Sequence, residues 1–341
     1  MRLPSAAALP AAVVPFVAAA LALVPSTAYA EGGPQTFVIE DPRITESSGL
    51  AASRIHPGVY WTHNDSEDGP YVYGVDAATG RTVARVTMTG VGRPRDVEAI
   101  SLGPDGQLYV GDIGDNRNGT WDHVWIYRFP EPKQLGDSTV KAAQFTVKYA
   151  DGPRDAEALM VHPKTGRVYI ASKHKEKGGL YEGPAQLAAG GANVFRRVAA
   201  LPWVTDGAFS PDGTRLAVRG YLFARTYPFA GGRPAGEGDR VDAPWQGQAE
   251  SVTYSADGSA LMFGAEGPRS EVVAVPVGPP AGGSAGASGR PSARPGGAGG
   301  QGGAQATEEP GSGNLTLGAL VLGGAVALWL GGRRLFRRSR G

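Results

Sequence analysis

The sequence predicts an all-β fold built from a hairpin that recurs about every 44 to 59 residues. The two clearest copies begin at Arg95 and Arg154, and each joins an apolar segment to an apolar-aromatic segment across a short glycine-containing turn. A third copy begins at Gln248, and weaker copies begin at Glu46 and Thr205. Hairpins repeated at this spacing are typical of the blades of a β-propeller.

Further strand candidates follow each hairpin and extend it toward a four-stranded unit. Third strands are predicted over 71–75, 123–129, 179–182, 223–229 and 271–277, and fourth strands over 82–88, 144–149, 194–199 and 240–243. The last unit lacks a fourth strand, which residues 36–40 can supply by pairing the two ends of the domain. The sequence therefore predicts five blades over 31–278, with six blades as the alternative if the long second unit contains an irregular blade.

Both ends of the chain differ in composition from the repeats. Residues 1–30 combine Arg2 with an apolar stretch and a small-residue cleavage motif, which predicts a signal peptide. Residues 279–313 are rich in Gly, Pro, Ala and Ser and predict a disordered linker. Residues 314–332 carry no charge and predict a single transmembrane helix, and the arginine-rich tail 333–341 places the C-terminus in the cytoplasm. The propeller is therefore expected outside the cell membrane.

Composition narrows the classes of partner. The chain has no cysteine, so disulfides and thiolate metal sites are excluded. Its formal net charge is +1, from 33 basic and 32 acidic residues. Because five arginines lie in the C-terminal tail, the predicted propeller alone is acidic, and nucleic acid is not expected as a partner.

Polar residues recur where the first strand of each unit begins and where the second strand ends. These two positions open on the same face of a propeller, around its central channel. The residues at the strand starts are Asp96, Glu98, Asp155, Glu157 and Glu250. The residues at the second-strand ends are His63, Asp65, Lys173, His174, Arg219 and Glu266. Converging polar groups in a concave site predict a ligand-binding mouth at the end of the channel.

The recurring carboxylates allow three interpretations. They can be structural, accepting hydrogen bonds from neighbouring blades or pairing with Arg95 and Arg154. They can bind a metal such as Ca²⁺ or another ligand, since calcium prefers several oxygen ligands. They can also act as general acids and bases, because crowding separates their pKa values. The structural interpretation is favoured, since a residue repeated in several blades usually serves the blade itself.

The loop from Asp112 to Asn116 is the densest acidic segment, and Asp112 and Asp115 are its candidate metal ligands. The loop resembles a calcium-binding loop in composition, but it lacks the ligand pattern of an EF-hand. His63 and His174 occupy equivalent positions in two units and are candidate zinc ligands. No nucleophile elbow, zinc-protease helix or phosphate-binding loop is present.

Several segments resemble exported bacterial propellers described as WD40-like. They are Trp61 to Ser66, Tyr109 to Asn116 and Ser210 to Gly213. The resemblance covers about residues 36–278 and implies a propeller fold, but no catalytic residues. A more distant resemblance to phytase-like propellers implies that calcium binding and ester hydrolysis are possible.

Together these patterns favour a ligand-binding or protein-interaction module tethered to the outer face of the cell membrane. Its expected partner is an extracellular ligand or an envelope protein. The alternative is a calcium-dependent hydrolase of phosphoesters, esters or lactones at the channel mouth.

Overall fold

The computed structural model describes residues 33–66, 68–117 and 119–278, which is nearly all of the predicted propeller. The segments predicted as signal peptide, linker, transmembrane helix and cytoplasmic tail lie outside the described residues. Within the described part every regular element is a β-strand. No helix in that part is long and apolar enough to cross a membrane.

The strands form successive units along the chain. A short strand, β1 (Phe37–Val38), comes first, and the first unit is β2 (Ser47–Ala52), β3 (Val59–Asn64), β4 (Tyr71–Asp76) and β5 (Thr82–Thr89). The second segment holds β6 (Val97–Leu102), β7 (Gln107–Asp112), β8 (Val124–Pro130), β9 (Asp137–Lys141) and β10 (Ala143–Tyr149). The third holds β11 (Ala156–Val161), β12 (Val168–Ser172), β13 (Gly179–Glu182) and β14 (Ala192–Ala200).

Two units complete the described chain. The fourth holds β15 (Asp206–Phe209), β16 (Arg215–Gly220), β17 (Phe223–Ala230), β18 (Arg233–Pro234) and β19 (Asp239–Val241). The fifth holds β20 (Ala249–Tyr254), β21 (Ala260–Ala265) and β22 (Glu271–Pro276). The first three strands of each unit are joined as antiparallel hairpins, as the glycine-containing turns predict.

The first strands of the units surround the centre of the molecule. β2, β6, β11, β15 and β20 each contact the next, and β20 contacts β2. At the outer edge of the fifth unit, β1 pairs antiparallel with β22, with Phe37 opposite Val272. The two ends of the domain therefore meet in one sheet, as residues 36–40 were expected to allow. The predicted all-β, propeller-type fold is confirmed.

The extra length of the second segment is explained by β9. This strand leaves its own sheet and pairs in parallel with β5 of the first unit, placing Val140 opposite Met88. A second parallel contact joins β10 to β14 of the third unit. The insertion therefore extends a neighbouring sheet and does not form another unit.

Aromatic side chains on the second strands fill the space between units. All of them are buried: Tyr60, Trp61, Tyr109, Tyr169 and Phe263. Trp61, for example, belongs to a core cluster that also contains Val97 and Leu108 of the second unit. Burial of such side chains is the main source of stability in a fold without disulfides.

Candidate functional site

Three glutamates occupy the same place in three inner strands, and a β-bulge positions each of them. Glu98 lies between Val97 and Ala99, where the pairing of β6 with β7 shifts its register. The same shift occurs at Glu157 in β11 and at Glu250 in β20. A bulged residue leaves the regular ladder, so its side chain can be redirected. All three carboxyl groups are buried beside the central channel.

The carboxyl groups lie close enough to influence one another across the units. The central cluster consists of Asp65, Asp96, Glu98, Asp155, Glu157 and Glu250, together with Lys173. The Lys173 ammonium contacts Glu157 Oε1 at 2.6 Å, and the Lys173 side chain keeps 18% of its surface exposed. The structure thus brings together seven of the residues predicted at the mouth, six carboxyl groups and one ammonium group, and the Arg219 guanidinium acts on one of these acids, Glu250.

Burial controls the protonation of the cluster. It raises the pKa of Asp96 to about 7, with further contributions from Asp65 and Asp155. Burial also raises the pKa of Glu98 well above its usual value, and the neighbouring Glu157 adds to this effect. The pKa values of Glu157, Glu250 and Asp155 are raised as well, chiefly by burial.

The pKa of Lys173 is also raised, but by its neighbours and not by burial. Burial alone would lower the pKa of its ammonium group, but Glu157, Tyr221 and Glu98 hold it well above its usual value. Lys173 is therefore charged throughout the pH range in which the carboxyl groups titrate. The site combines a permanent cation with a larger number of titratable acids.

Arg219, also predicted at the mouth, instead joins the fourth and fifth units. Its Nη1 donates hydrogen bonds to the carbonyl oxygens of Ser251 (2.9 Å) and Gly264 (2.7 Å). The guanidinium group is buried and stacks over the Phe263 ring at 5.1 Å. Burial lowers the pKa of Arg219 to about 10, so the group remains charged at neutral pH.

The two histidines have different environments. His63 is buried, with its Nδ1 donating to the carbonyl oxygen of Asn64 at 3.2 Å, and burial lowers its pKa to about 4. His174 is exposed in the loop after β12, where its Nδ1 accepts hydrogen bonds from the amides of Glu176 and Lys177. Glu266 accepts a hydrogen bond from Gln248 at 2.8 Å. These three residues have local partners outside the central cluster.

The candidate metal ligands Asp112 and Asp115 accept hydrogen bonds from their own unit. The Asp112 carboxylate receives the Tyr127 hydroxyl at 2.6 Å and the Asp96 amide at 2.9 Å. The Asp115 carboxylate receives the Trp121 amide at 2.7 Å. In residues 33–278, apart from the two positions not described, no three His, Asp or Glu side chains are placed to hold a metal ion. Metal binding at this loop stays a prediction.

Replacing Asp112 separates the structural role from metal binding. We expect Asp112→Ala to lower the free energy of unfolding by about 2 to 4 kcal/mol, because buried donors lose their acceptor. Tyr127→Phe, which removes one donor, should cost about 1 kcal/mol. Both are measured by urea unfolding with and without Ca²⁺. A calcium-dependent gain in wild-type stability that disappears in Asp112→Ala would instead identify a metal ligand.

The predicted pairing of the glutamates with Arg95 and Arg154 is wrong. The Arg95 guanidinium stacks between the rings of Trp121 and Trp125, at 3.9 and 3.8 Å from their centroids. Arg154 forms an ion pair with Asp151 at 2.7 Å. Nearby aromatic rings and a closer acid therefore hold these arginines away from the cluster.

Comparison of the repeats could have identified three residues that the sequence prediction missed. Ser48 stands where Glu98 stands in the second unit, and Asp206, opposite Arg219, stands one position later, where Ala99 lies opposite Gly111. The Ser48 hydroxyl donates to Glu98 Oε2 at 2.9 Å, and Asp206 Oδ2 accepts from the amide of Val252 at 2.8 Å. Tyr221, in the tight turn between β16 and β17, interacts with both Glu250 and Lys173. All three lie at the end of the strands where the sequence predicts the mouth, and this position was the signal available in the sequence.

A cavity of about 80 Å³ lies at the other end of the inner strands. It is lined by the later residues of these strands, including Leu102, Phe209 and Tyr254. The central cluster lies at the opposite end, where the inner strands begin.

Comparison with known proteins identifies no family for this chain. No protein-family model matches the chain, and no curated protein matches it. Solved structures similar to it include hydrazine synthase of Kuenenia stuttgartiensis, at 14% identity and a TM-score of 0.37, covering 64% of this chain and 61% of that one. Another is the PQQ-bound aldose sugar dehydrogenase of Streptomyces coelicolor, at 14% identity and a TM-score of 0.39, covering 70% and 97%. A chain of the mitotic checkpoint complex is 16% identical, with a TM-score of 0.37, and the match covers 67% of this chain and 60% of that one.

Proposed function

We propose that this chain is a five-bladed propeller, exported and tethered to the membrane by its C-terminal helix, that binds a cationic group at the channel mouth. The group belongs to an extracellular ligand or an envelope protein. The five inner strands and the β1–β22 pair support five blades closed by the N-terminal strand. The membrane location rests on the sequence alone.

The excess of carboxyl groups over cations is the observation that carries the proposal. Lys173 contacts Glu157, while Glu98 and Glu250 act on it from other units. The pKa values of these three glutamates are raised by burial, so their negative charge is poorly stabilised in the free protein. A cation brought by a ligand would stabilise the ionised carboxylates.

An organic cation suits the mouth better than Ca²⁺, which the alternative hydrolase function needs. Calcium requires several oxygen ligands at about 2.4 Å. The Lys173 ammonium lies against Glu157, and Ca²⁺ would have to displace it. An ammonium or guanidinium group can instead bind beside Lys173 through one or two carboxylates, with Tyr221 adding an aromatic face.

Agmatine, which carries one guanidinium and one ammonium group, tests the proposal. We expect it to raise the thermal midpoint of the full-length chain in mild detergent, saturably, by ligand linkage. The rise should be larger at pH 8 than at pH 5, since Asp96, whose pKa burial raises to about 7, loses its proton over this range. Glu250→Gln should reduce the rise.

Sodium chloride at matched ionic strength is the control. If it raises the midpoint as much as agmatine does, the effect is only charge screening and the proposal is wrong. An agmatine effect that is unchanged in Glu250→Gln would place the cation elsewhere.

A further inference from the structure

Two large apolar side chains, Leu222 and Trp245, are exposed beside the acidic mouth, and the rings of Trp203 and Tyr221 are half-buried. The apolar rim consists of Trp203, Tyr221, Leu222 and Trp245. Trp245 is 77% exposed and Leu222 is 67% exposed, whereas large apolar side chains in this fold are mostly buried. Trp203 and Tyr221 contact each other edge to face, with their centroids 5.4 Å apart. Exposed apolar residues gathered near polar groups mark an interaction surface.

The rim belongs to the same end of the channel as the carboxyl groups. Tyr221 and Leu222 form the turn after β16, and Trp203 precedes β15. Trp245 precedes Gln246, whose Oε1 accepts a hydrogen bond from Arg219 at the end of β16. The fourth and fifth units therefore present apolar groups where the central cluster presents acids.

Two lysines of the chain show which groups this surface accepts. The Lys173 ammonium lies against Glu157 and 5.7 Å from the centre of the Tyr221 ring. The Lys175 ammonium lies 5.1 Å from the centre of the Trp203 ring, and Lys175 is exposed. Both the acids and the aromatic rim are thus in contact with ammonium groups, which a ligand cation bound beside them can imitate.

We infer that the mouth and the apolar rim together bind a basic peptide segment in which lysine or arginine alternates with apolar residues. This inference rests on the proposed function and names the chemistry of its ligand. The basic residues of the peptide form ion pairs with carboxylates of the central cluster that Lys173 does not contact, and its apolar residues cover Leu222 and Trp245. A small amine would neutralise the acids but leave the rim exposed.

Fluorescein-labelled five-residue peptides test this inference by anisotropy with the full-length chain in mild detergent. Lys-Leu-Lys-Leu-Lys should bind at least about tenfold more tightly than Lys-Gly-Lys-Gly-Lys, and Gln-Leu-Gln-Leu-Gln and Glu-Leu-Glu-Leu-Glu should bind weakly. The double variant Leu222→Ser, Trp245→Ser should weaken the first peptide by about tenfold or more. Since both side chains are exposed, folding should be preserved and is checked by the thermal midpoint.

Ile55→Ser is the matched control. Ile55 is 50% exposed, but it lies in the turn after β2, at the opposite end of the channel, so its replacement should leave peptide affinity unchanged. Equal binding of the leucine and glycine peptides, or equal loss in Ile55→Ser, would overturn the inference. If agmatine still stabilises the chain, the proposed function survives that result; if neither probe binds, both proposals are wrong. Tight binding of the glutamine peptide would assign the rim to an uncharged partner and also overturn it.

Discussion

The propeller is expected to resist urea better at pH 5 than at pH 8, the reverse of ordinary acid denaturation. Carboxyl groups whose pKa is raised in the folded state bind protons more tightly there than in the unfolded chain. Their contribution to stability is complete below the unfolded pKa, near 4, and is lost as pH rises through the folded pKa. For Asp96 the window runs from 3.8 to about 7, and burial moves Glu98 and Glu157 in the same direction.

Other titratable groups oppose this gain in stability at low pH or act only at high pH. The Ser210 hydroxyl holds the pKa of Asp212 below its usual value, so Asp212 contributes stability that is lost as pH falls below about 4. Lys173, with its pKa raised, contributes stability that is lost only above its unfolded value of about 10.5. Burial lowers the pKa of His63 from 6.5 to about 4, so His63 contributes stability that is lost as pH falls below about 6.5 and offsets part of the gain from the acids. The maximum is therefore expected near pH 5, and the decline to pH 8 should be on the order of a few kcal/mol.

Glu98→Gln identifies the cluster as the source of the pH dependence. Glutamine resembles the protonated acid and keeps an oxygen that can accept the Ser48 hydrogen bond. We expect about 2 kcal/mol of added stability at pH 8, little change at pH 5 and a flatter profile between them. The exposed Glu176, replaced in the same way, is the control and should change neither value. A wild-type midpoint that rises steadily from pH 5 to pH 8 would contradict the buried-acid explanation.

The repeat made most of the fold predictable because each unit has its own hydrophobic pattern. The apolar segments beginning near Val97 and Ala156 identify inner strands, and the third strand of the third unit was predicted with its observed bounds, Gly179–Glu182. Strand β9 could not be found in this way. It joins the edge of another sheet through backbone hydrogen bonds, and of its residues Asp137–Lys141 only Val140 is apolar.

The residues of the candidate site could be predicted only in part from the sequence, for a different reason. Alignment of the repeats places Glu98, Glu157 and Glu250 at one end of the channel, and the bulges keep them there. It cannot show whether a charged group at a strand end faces the channel or the next unit. Arg219 faces the carbonyl oxygens of Ser251 and Gly264, because β16 lies directly against the fifth unit at that point.

Lys173→Met should be strongly destabilising at pH 8, and more so than at pH 5. Methionine keeps most of the side-chain volume but removes the cation that contacts Glu157. Breaking a buried ion pair by removing one partner costs roughly 3 to 5 kcal/mol. At pH 5 the cost should be smaller, since the raised pKa of Glu157 allows the carboxyl group to take up a proton. Urea unfolding at both pH values measures the difference.

The double variant Lys173→Met, Glu157→Gln distinguishes charge from packing. If the unpaired carboxylate is the cause, neutralising it should restore most of the stability at pH 8. No recovery would mean that Lys173 acts through the packing of its stem, which would remove the electrostatic basis of the proposed cation site.

Ca²⁺ adds a final test, because Lys173 lies where a divalent ion would approach Glu157. Calcium should stabilise Lys173→Met more than the wild type; an equal effect on both would locate calcium away from the central cluster.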